Sequence, residues 1–104
     1  MSAEGKNSIA VKVPKILIDL IPKYLANRRA EIVILDGALA SQDFHTIQSI
    51  GHKLKGNAGS YGFSELTDLG ASLEGAAKIK DLELAKQFTD DYARYLGNVL
   101  VVPE

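Results

Sequence analysis

The sequence contains no cysteine, which excludes disulfide bonds, thiolate metal sites and a cysteine nucleophile. It also lacks any apolar run approaching the roughly 18 residues that a membrane-spanning helix needs, and its polar first residues lack the apolar block of a secretory signal. Positive and negative charges nearly cancel, at a formal net charge of -1, whereas nucleic-acid binding normally requires a basic face. We therefore expect a cytoplasmic protein that binds neither membranes nor nucleic acid.

The length and hydrophobic content of the sequence are sufficient for one folded domain. Of its 104 residues, 46% are hydrophobic, which suits a single soluble domain with one modest core. Residues 1–13 are predicted to form a flexible or extended lead-in, and residues 14–104 the domain itself. No convincing alternation of polar and apolar residues is apparent, so the prediction contains helices and no strands.

The first helical segment is interrupted by a proline. A proline fits only the first turn of a helix, so Pro22 is predicted to separate a short helix at about 15–20 from a long helix at about 22–40. Apolar residues recur through this segment at the spacings of one helix face. They are Ile18, Ile21, Leu25, Ile32, Leu35 and Leu39.

Three further amphipathic helices follow the long one. Asp43, Ser64 and Asp81 are predicted to be their N-caps, because short polar side chains accept hydrogen bonds from the first free backbone amides. Short connections between amphipathic helices are typical of bundles. The sequence thus predicts an all-α fold, an antiparallel four-helix bundle with a short extra N-terminal helix.

One histidine is predicted to point away from this core. If Ile47 marks the centre of the apolar face and each residue advances by about 100°, His52 lies at about 140° and Gly56 at about 180°. A glycine inside a helix costs about 1 kcal/mol relative to alanine, and packing gives no reason for one on the outer face. Gly56 therefore suggests a surface kept open for a partner beside His52, while Gly51 faces inward and permits close helix approach.

The neighbours of His52 support an interpretation that involves phosphate. Lys55, at the i+3 position, is close enough to stabilise a phosphoryl group on the imidazole as a point charge. Lys53 could steer a partner, and Gln48 could hydrogen-bond the ring or a phosphoryl oxygen. The simpler alternative for each of these residues, and for His52 alone, is a solvated surface side chain.

The same stretch resembles the motif of histidine-containing phosphotransfer (Hpt) domains, the phosphate carriers of bacterial multistep phosphorelays. The resemblance extends from about Ile18 to about Leu96. Its central motif is the run His52-Lys53-Leu54-Lys55-Gly56, followed by Ala58, Gly59, Gly62, Phe63 and Leu66. The pattern then continues with Leu69, Leu73, Glu74 and Ala77.

The resemblance implies that His52 accepts a phosphoryl group from a receiver-domain aspartate and passes it to another receiver, and that the chain is a carrier rather than an enzyme. Lys55 is then expected to stabilise phosphate, and no cofactor or metal is expected on this chain, because the receiver supplies Mg²⁺. The chain is expected to act as a monomer, either alone or as part of a longer kinase. Residues expected to serve partner access and docking are Gly56, Gly59, Lys53, Gln48, Ser49 and His45.

Several alternatives to this interpretation can be weighed from spacing alone. His45 and His52 are seven residues apart, about 10.5 Å along a helix, which is too far for one metal ion. Asp90 and Asp91 are adjacent and diverge, so they are expected to form a solvated face. Arg28 on the apolar stripe is expected to be structural, either snorkelling to solvent or paired with a carboxylate, with a phosphate-facing role as the weaker alternative. Two functions of other kinds stay open, namely a helical interaction module without phosphotransfer and the phosphoacceptor domain of a chemotaxis-type histidine kinase.

Overall fold

The structure, a computed structural model, describes residues 9–104, and these residues form a helical bundle with four α-helices. Residues 1–8 of the predicted lead-in lie outside the described residues. None of the described helices is both long and apolar enough to cross a lipid bilayer. The four helices are α1 (Ile21–Ala40), α2 (Phe44–Asn57), α3 (Ser64–Lys78) and α4 (Leu82–Asn98).

Two of the three predicted helix caps are confirmed. The side chain of Asp43 accepts a hydrogen bond from the Thr46 amide at 3.1 Å, and Asp81 accepts one from the Leu84 amide at 3.0 Å. Ser64 is not a cap, because α3 begins at this residue and the preceding position makes no side-chain capping bond. Both aspartates can therefore satisfy a free amide at the start of their helices, as their sequence positions predict.

The segments before α1 and after α2 are 3₁₀-helices. The first, Lys15–Leu20, occupies the region where a short helix is predicted, and Pro22 lies in the first turn of α1. The second, Ala58–Tyr61, ends at Gly62, whose φ of 94° favours glycine. The chain reverses there, and α3 can begin.

The prediction that the chain contains no strands is wrong. Strand β1 (Ile9–Val13) pairs in parallel with β2 (Val99–Pro103), so the last five residues of the lead-in, predicted to be flexible or extended, belong to a two-stranded sheet. Val11 and Val13 of β1 are buried, and this contact with the bundle stabilises a pair that would be marginal by itself. Each strand has only five residues, too few for the apolar alternation to stand out in the sequence.

Helices α2 and α3 approach each other closely at two glycines. A Cβ atom added to Gly51 would lie 2.6 Å from the amide nitrogen of Glu74, and one added to Gly70 would lie 2.5 Å from that of Lys55. The two backbones therefore touch, as the inward position of Gly51 predicts. This contact brings Glu74 beside the exposed face of α2.

A partly buried polar network joins α1 to the end of α2 and to α4. Arg28 forms an ion pair with Glu31 at 3.1 Å and lies 4.7 Å from the centre of the Tyr24 ring. Tyr24 donates a 2.8 Å hydrogen bond to Asn57, and Tyr92 donates a 2.9 Å hydrogen bond to Glu31. Of the two structural roles expected for Arg28, the structure shows the pairing with a carboxylate, and this network accounts for a charge on the apolar stripe.

Candidate functional site

His52 lies in the middle of α2 with its side chain 69% exposed, as the helical periodicity predicts. It borders an open depression of about 380 Å³ between α2 and α3. Because this depression is open to solvent, a group on another protein can reach the imidazole. The residues around it are His45, Gln48, Ser49, His52, Glu74 and Lys78.

A single carboxylate connects His52 with two lysines. Glu74 Oε2 lies 2.9 Å from His52 Nδ1, and Glu74 Oε1 lies 2.7 Å from Lys55 Nζ. Lys78 Nζ, one turn further along α3, is 4.0 Å from Oε2. The Glu74 side chain is only 10% exposed, so its position is restricted by the helix contact beneath it. The imidazole is thus hydrogen-bonded from a nearly buried, fixed point.

The charge state of Glu74 determines which nitrogen of His52 remains free. The hydrogen bond from Lys55, and then that from His52, lowers the pKa of Glu74, so the carboxylate is ionised at neutral pH. An ionised carboxylate can only accept hydrogen bonds, so in the neutral imidazole Nδ1 must carry the proton. The lone pair of Nε2 is then left available for a new bond.

A comparison with protein-family models identifies the family of the chain. The family model described as Hpt domain matches residues 19–99, which is most of the chain. The chain belongs to the Hpt domain family. Members of this family are phosphocarriers that act in histidine phosphotransfer and typically interact with receiver domains. Searches of curated proteins and of solved structures found no significant match.

Within this Hpt domain, four of the predicted docking residues lie on neighbouring parts of the α2 surface. His45, Gln48 and Ser49 line the depression beside His52. Lys53 lies in a neighbouring depression that shares His45 and Ser49 with the first, so the two depressions adjoin each other. The structure therefore brings His45, Gln48 and Ser49 together beside the imidazole and places Lys53 in the adjoining depression, although it does not test their roles.

The other predicted residues, Lys55, Gly56 and Gly59, are placed differently. Lys55 is hydrogen-bonded to Glu74, so its ammonium group is held by a carboxylate in addition to being near the imidazole. An added Cβ at Gly56 would meet no atom within 4 Å, which leaves that surface open. An added Cβ at Gly59, in the following 3₁₀-helix, would lie 3.5 Å from Thr67 Oγ1, and this residue does not line the depression.

Sequence reasoning assigned no role to Glu74 or Lys78, the two site residues that α3 provides. Glu74 follows Leu73 at the edge of an apolar stripe, and a nearly buried carboxylate needs a partner of opposite charge. The position of Glu74 beside the apolar stripe was the signal in the sequence that could have identified it as a site residue. Lys78 could then have been identified as its partner, because residues at i and i+4 are neighbours on a helix. Among residues 9–104, no group of three or more histidine, cysteine, aspartate or glutamate residues could hold a metal ion.

The Glu74 ion pairs predict a specific pH dependence of stability. The pKa of Glu74 is lower in the folded state than its ordinary value of 4.5, so its contribution is present above that pH and is lost as the pH falls through the lowered value. In urea titrations between pH 7 and pH 3, the free energy of unfolding should fall more in the wild type than in Glu74→Gln.

The matched control for this experiment is Asp36→Asn, which removes an exposed carboxylate from α1. This variant should keep the acid dependence of the wild type. If Glu74→Gln also kept it, the ion pairs of Glu74 would not favour its charged form in the folded state.

Proposed function

We propose that this chain is a phosphocarrier that reversibly accepts a phosphoryl group on His52 Nε2 from a receiver-domain aspartate and passes it to another receiver. The observation that carries the proposal is the exposed imidazole whose Nδ1 is hydrogen-bonded by the nearly buried Glu74. A nucleophile fixed in this way presents one nitrogen to an incoming phosphorus atom without having to be ordered first.

In the proposed step, the lone pair of His52 Nε2 attacks the phosphorus of an aspartyl phosphate. The N–P bond forms as the bond between phosphorus and the aspartate oxygen breaks, and the aspartate leaves as a carboxylate. The proton on Nδ1 stays on the ring, and Glu74 stabilises the positive charge that the ring acquires. The same events in reverse transfer the phosphoryl group to the next receiver.

The lysines around Glu74 are suited to neutralise charge on the phosphoryl oxygens. Lys55 is 43% exposed and Lys78 is 59% exposed, so both ammonium groups can turn toward a group bound at the imidazole. We propose that Lys55 has this role and that Lys78 assists it. The divalent cation of the reaction is proposed to come with the receiver, and the chain is proposed to act as a monomer.

The proposed docking surface lies on the exposed face of α2. It comprises the two adjoining depressions beside His52 and Lys53, the second of which is lined in part by the half-exposed Ile34 of α1. Ile34 provides apolar contact area for a receiver, and the histidine and lysine side chains beside it provide polar contacts.

The connections between helices also bear on the proposed arrangement of the bundle. Residues 41–43 connect α1 to α2, and residues 79–81 connect α3 to α4. Connections this short support an antiparallel bundle.

Phosphotransfer from a labelled receiver is the experiment that tests this function. The protein is incubated with a receiver domain phosphorylated on its aspartate with ³²P, and the label is followed on a gel. We expect one acid-labile, base-stable phosphoryl group per chain and its return to a second, unlabelled receiver. If no receiver from the organism's relays labels the chain, while a known Hpt domain is labelled in the same assay, the proposal is wrong.

A bulky side chain at Gly56 is predicted to slow transfer without affecting the fold. The added side chain of Gly56→Leu projects into open space one turn from His52, where it obstructs an approaching receiver. We expect the transfer rate to fall by about tenfold or more, as a misplacement of roughly 1 Å can reduce rates a hundredfold.

The matched control is Gly97→Leu, which makes the same change at another open helical position, on α4. It should transfer at the wild-type rate, and both variants should unfold at similar urea concentrations. Equal transfer rates for the two variants would refute the steric role of Gly56.

A further inference from the structure

The face of α1 that points away from the bundle is apolar along most of its length. With Val33 at 0° and about 100° per residue, the buried side chains of α1 centre near about 200° and this face near about 40°. Val33 is 73% exposed and Ile34 is 53% exposed, so large apolar side chains lie in solvent opposite the core. We call this surface the outer α1 face, and its members, all exposed, are Ala26, Ala30, Val33, Ile34, Gly37 and Ala40.

No contact within the described chain explains Gly37. A Cβ atom added there would meet no atom within 4 Å, and its φ is not positive, so neither packing nor backbone conformation requires a glycine. A glycine inside a helix costs about 1 kcal/mol relative to alanine. On an outer face, its missing side chain lets a second helix approach, because the distance between helix axes depends on the side chains at the contact. The outer α1 face is therefore suited to contact with another helix.

Most members of this face are spaced as in the seam between two paired helices. Between positions 26 and 40, all of them except Ile34 recur at alternating intervals of four and three residues, as the a and d positions of a heptad do. A seam of this kind is met by a helix with the same spacing, so a second copy of α1 is a matching partner. Two identical helices can pair in parallel or in antiparallel orientation about a two-fold axis. The charges beside the seam distinguish these orientations.

These charges favour the antiparallel orientation. Arg29 and Asp36 border the outer α1 face, are exposed, and make no ion pair with any of residues 9–104. In an antiparallel pair, Ala30 lies opposite Val33 of the second copy. Arg29 then lies beside Asp36 of the second copy, and by symmetry this contact occurs twice. Lys23 would lie near the negative C-terminal end of the other helix, whereas a parallel pair would place it beside another Lys23.

We propose that the outer α1 face binds the same face of a second copy in antiparallel orientation. Val33 and Ile34 supply apolar contact, and Arg29 of each copy pairs with Asp36 of the other. The face extends over about 21 Å of the helix, and one helix face of this length offers less than the roughly 800 Å² that each partner contributes to a stable complex. We therefore expect a weak, reversible pair with a dissociation constant of about 0.1–1 mM.

Pairing would also affect the proposed phosphotransfer. Ile34 lines the depression that contains Lys53, at one edge of the surface proposed for the receiver. A second copy bound to α1 would partly cover Ile34, so the single chain is the form that is open to a receiver, in agreement with the monomer proposed above. This consequence rests on the proposed function, whereas the pairing itself does not.

Sedimentation equilibrium of the full chain measures the pairing directly. The average mass is recorded between about 0.02 and 2 mM protein, a range that includes the expected dissociation constant. We expect it to rise from the mass of one chain toward that of two. Val33→Glu should weaken pairing at least about tenfold, because it places an unpaired charge in the seam. The matched control is Ile79→Glu, the same change at a 69% exposed residue just after α3, and it should pair as the wild type does.

Charge reversal tests the orientation of the pair. Arg29→Asp and Asp36→Arg should each weaken pairing about tenfold, because two attractive contacts become two repulsive ones. The double variant Arg29→Asp/Asp36→Arg should pair nearly as well as the wild type, since each aspartate again lies beside an arginine of the other copy. A double variant that pairs no better than the single ones would contradict the antiparallel interface.

Three further results would overturn the proposal. An average mass that stays at that of one chain up to about 2 mM would exclude self-pairing. Equal weakening by Val33→Glu and Ile79→Glu would mean that the attraction is not specific to α1. Loss of phosphoryl acceptance in dilute Val33→Glu would assign this face to the receiver instead of a second copy. Failure of the wild type to accept phosphate would contradict the proposed function alone, because the mass measurement does not depend on phosphotransfer.

Discussion

Replacement of His52 by glutamine is expected to abolish phosphoryl acceptance and to leave the free energy of unfolding close to that of the wild type. Glutamine has no nucleophilic nitrogen, so the labelled fraction should fall by at least about a thousandfold, as is usual for loss of a nucleophile. Stability should change little because the His52 side chain is 69% exposed. The glutamine amide can also still donate a hydrogen bond to Glu74.

The control for this experiment is the other histidine of the chain. His45 lines the same depression but has no hydrogen-bond partner among the described side chains, so His45→Gln should be labelled at nearly the wild-type level. Phosphate retained by His52→Gln and lost by His45→Gln would transfer the acceptor role to His45. Intact mass and urea unfolding would establish that both variants are folded before the rates are compared.

The largest loss of stability is expected from a single methyl group at Gly70. The added Cβ in Gly70→Ala would lie 2.5 Å from the Lys55 amide nitrogen and 2.8 Å from the Gly51 carbonyl oxygen. Both atoms belong to the backbone of α2, so the conflict can be relieved only if the helices separate. Overpacking of this kind costs about 1–3 kcal/mol or more, and the better helix propensity of alanine returns at most about 1 kcal/mol. We expect a net loss of about 2 kcal/mol in urea unfolding.

The same substitution should also weaken the site, because Glu74 lies one turn after Gly70 and its position depends on this helix contact. Gly75→Ala is the matched control, since an added Cβ on the same helix would meet no atom within 4 Å. That variant should gain up to about 1 kcal/mol from helix propensity. If Gly70→Ala were as stable as Gly75→Ala, α2 and α3 would not be in backbone contact there.

The part of the site that is local in sequence could be predicted. Periodicity along one helix places His52 outside and Gly51 inside, and Asp43 and Asp81 cap their own helices. Each of these results depends on residues within a turn or two of one another. For the same reason, the four-helix content and the family could be inferred from the pattern of the chain.

The remaining features depend on contacts between distant segments. Glu74 is 22 residues from His52, and only the approach of Gly51 to Gly70 determines that the two side chains meet. The two short strands are at opposite ends of the chain, where neither has a neighbouring strand in sequence. Ser64 has the right chemistry for a cap but begins the helix itself. In these cases the structure is determined by tertiary packing, which the local preferences of the residues do not reveal.

The parallel pairing of β1 with β2 has a mechanical consequence. Ile9 is opposite Val99 and Val13 is opposite Pro103, so the chain enters β1 at one end of the ladder and leaves β2 at the other. Tension applied to the two flanking segments would therefore load the inter-strand hydrogen bonds together, in shear, instead of breaking them one after another. A force transmitted through the backbone would meet this small sheet before it reached the helices that carry His52.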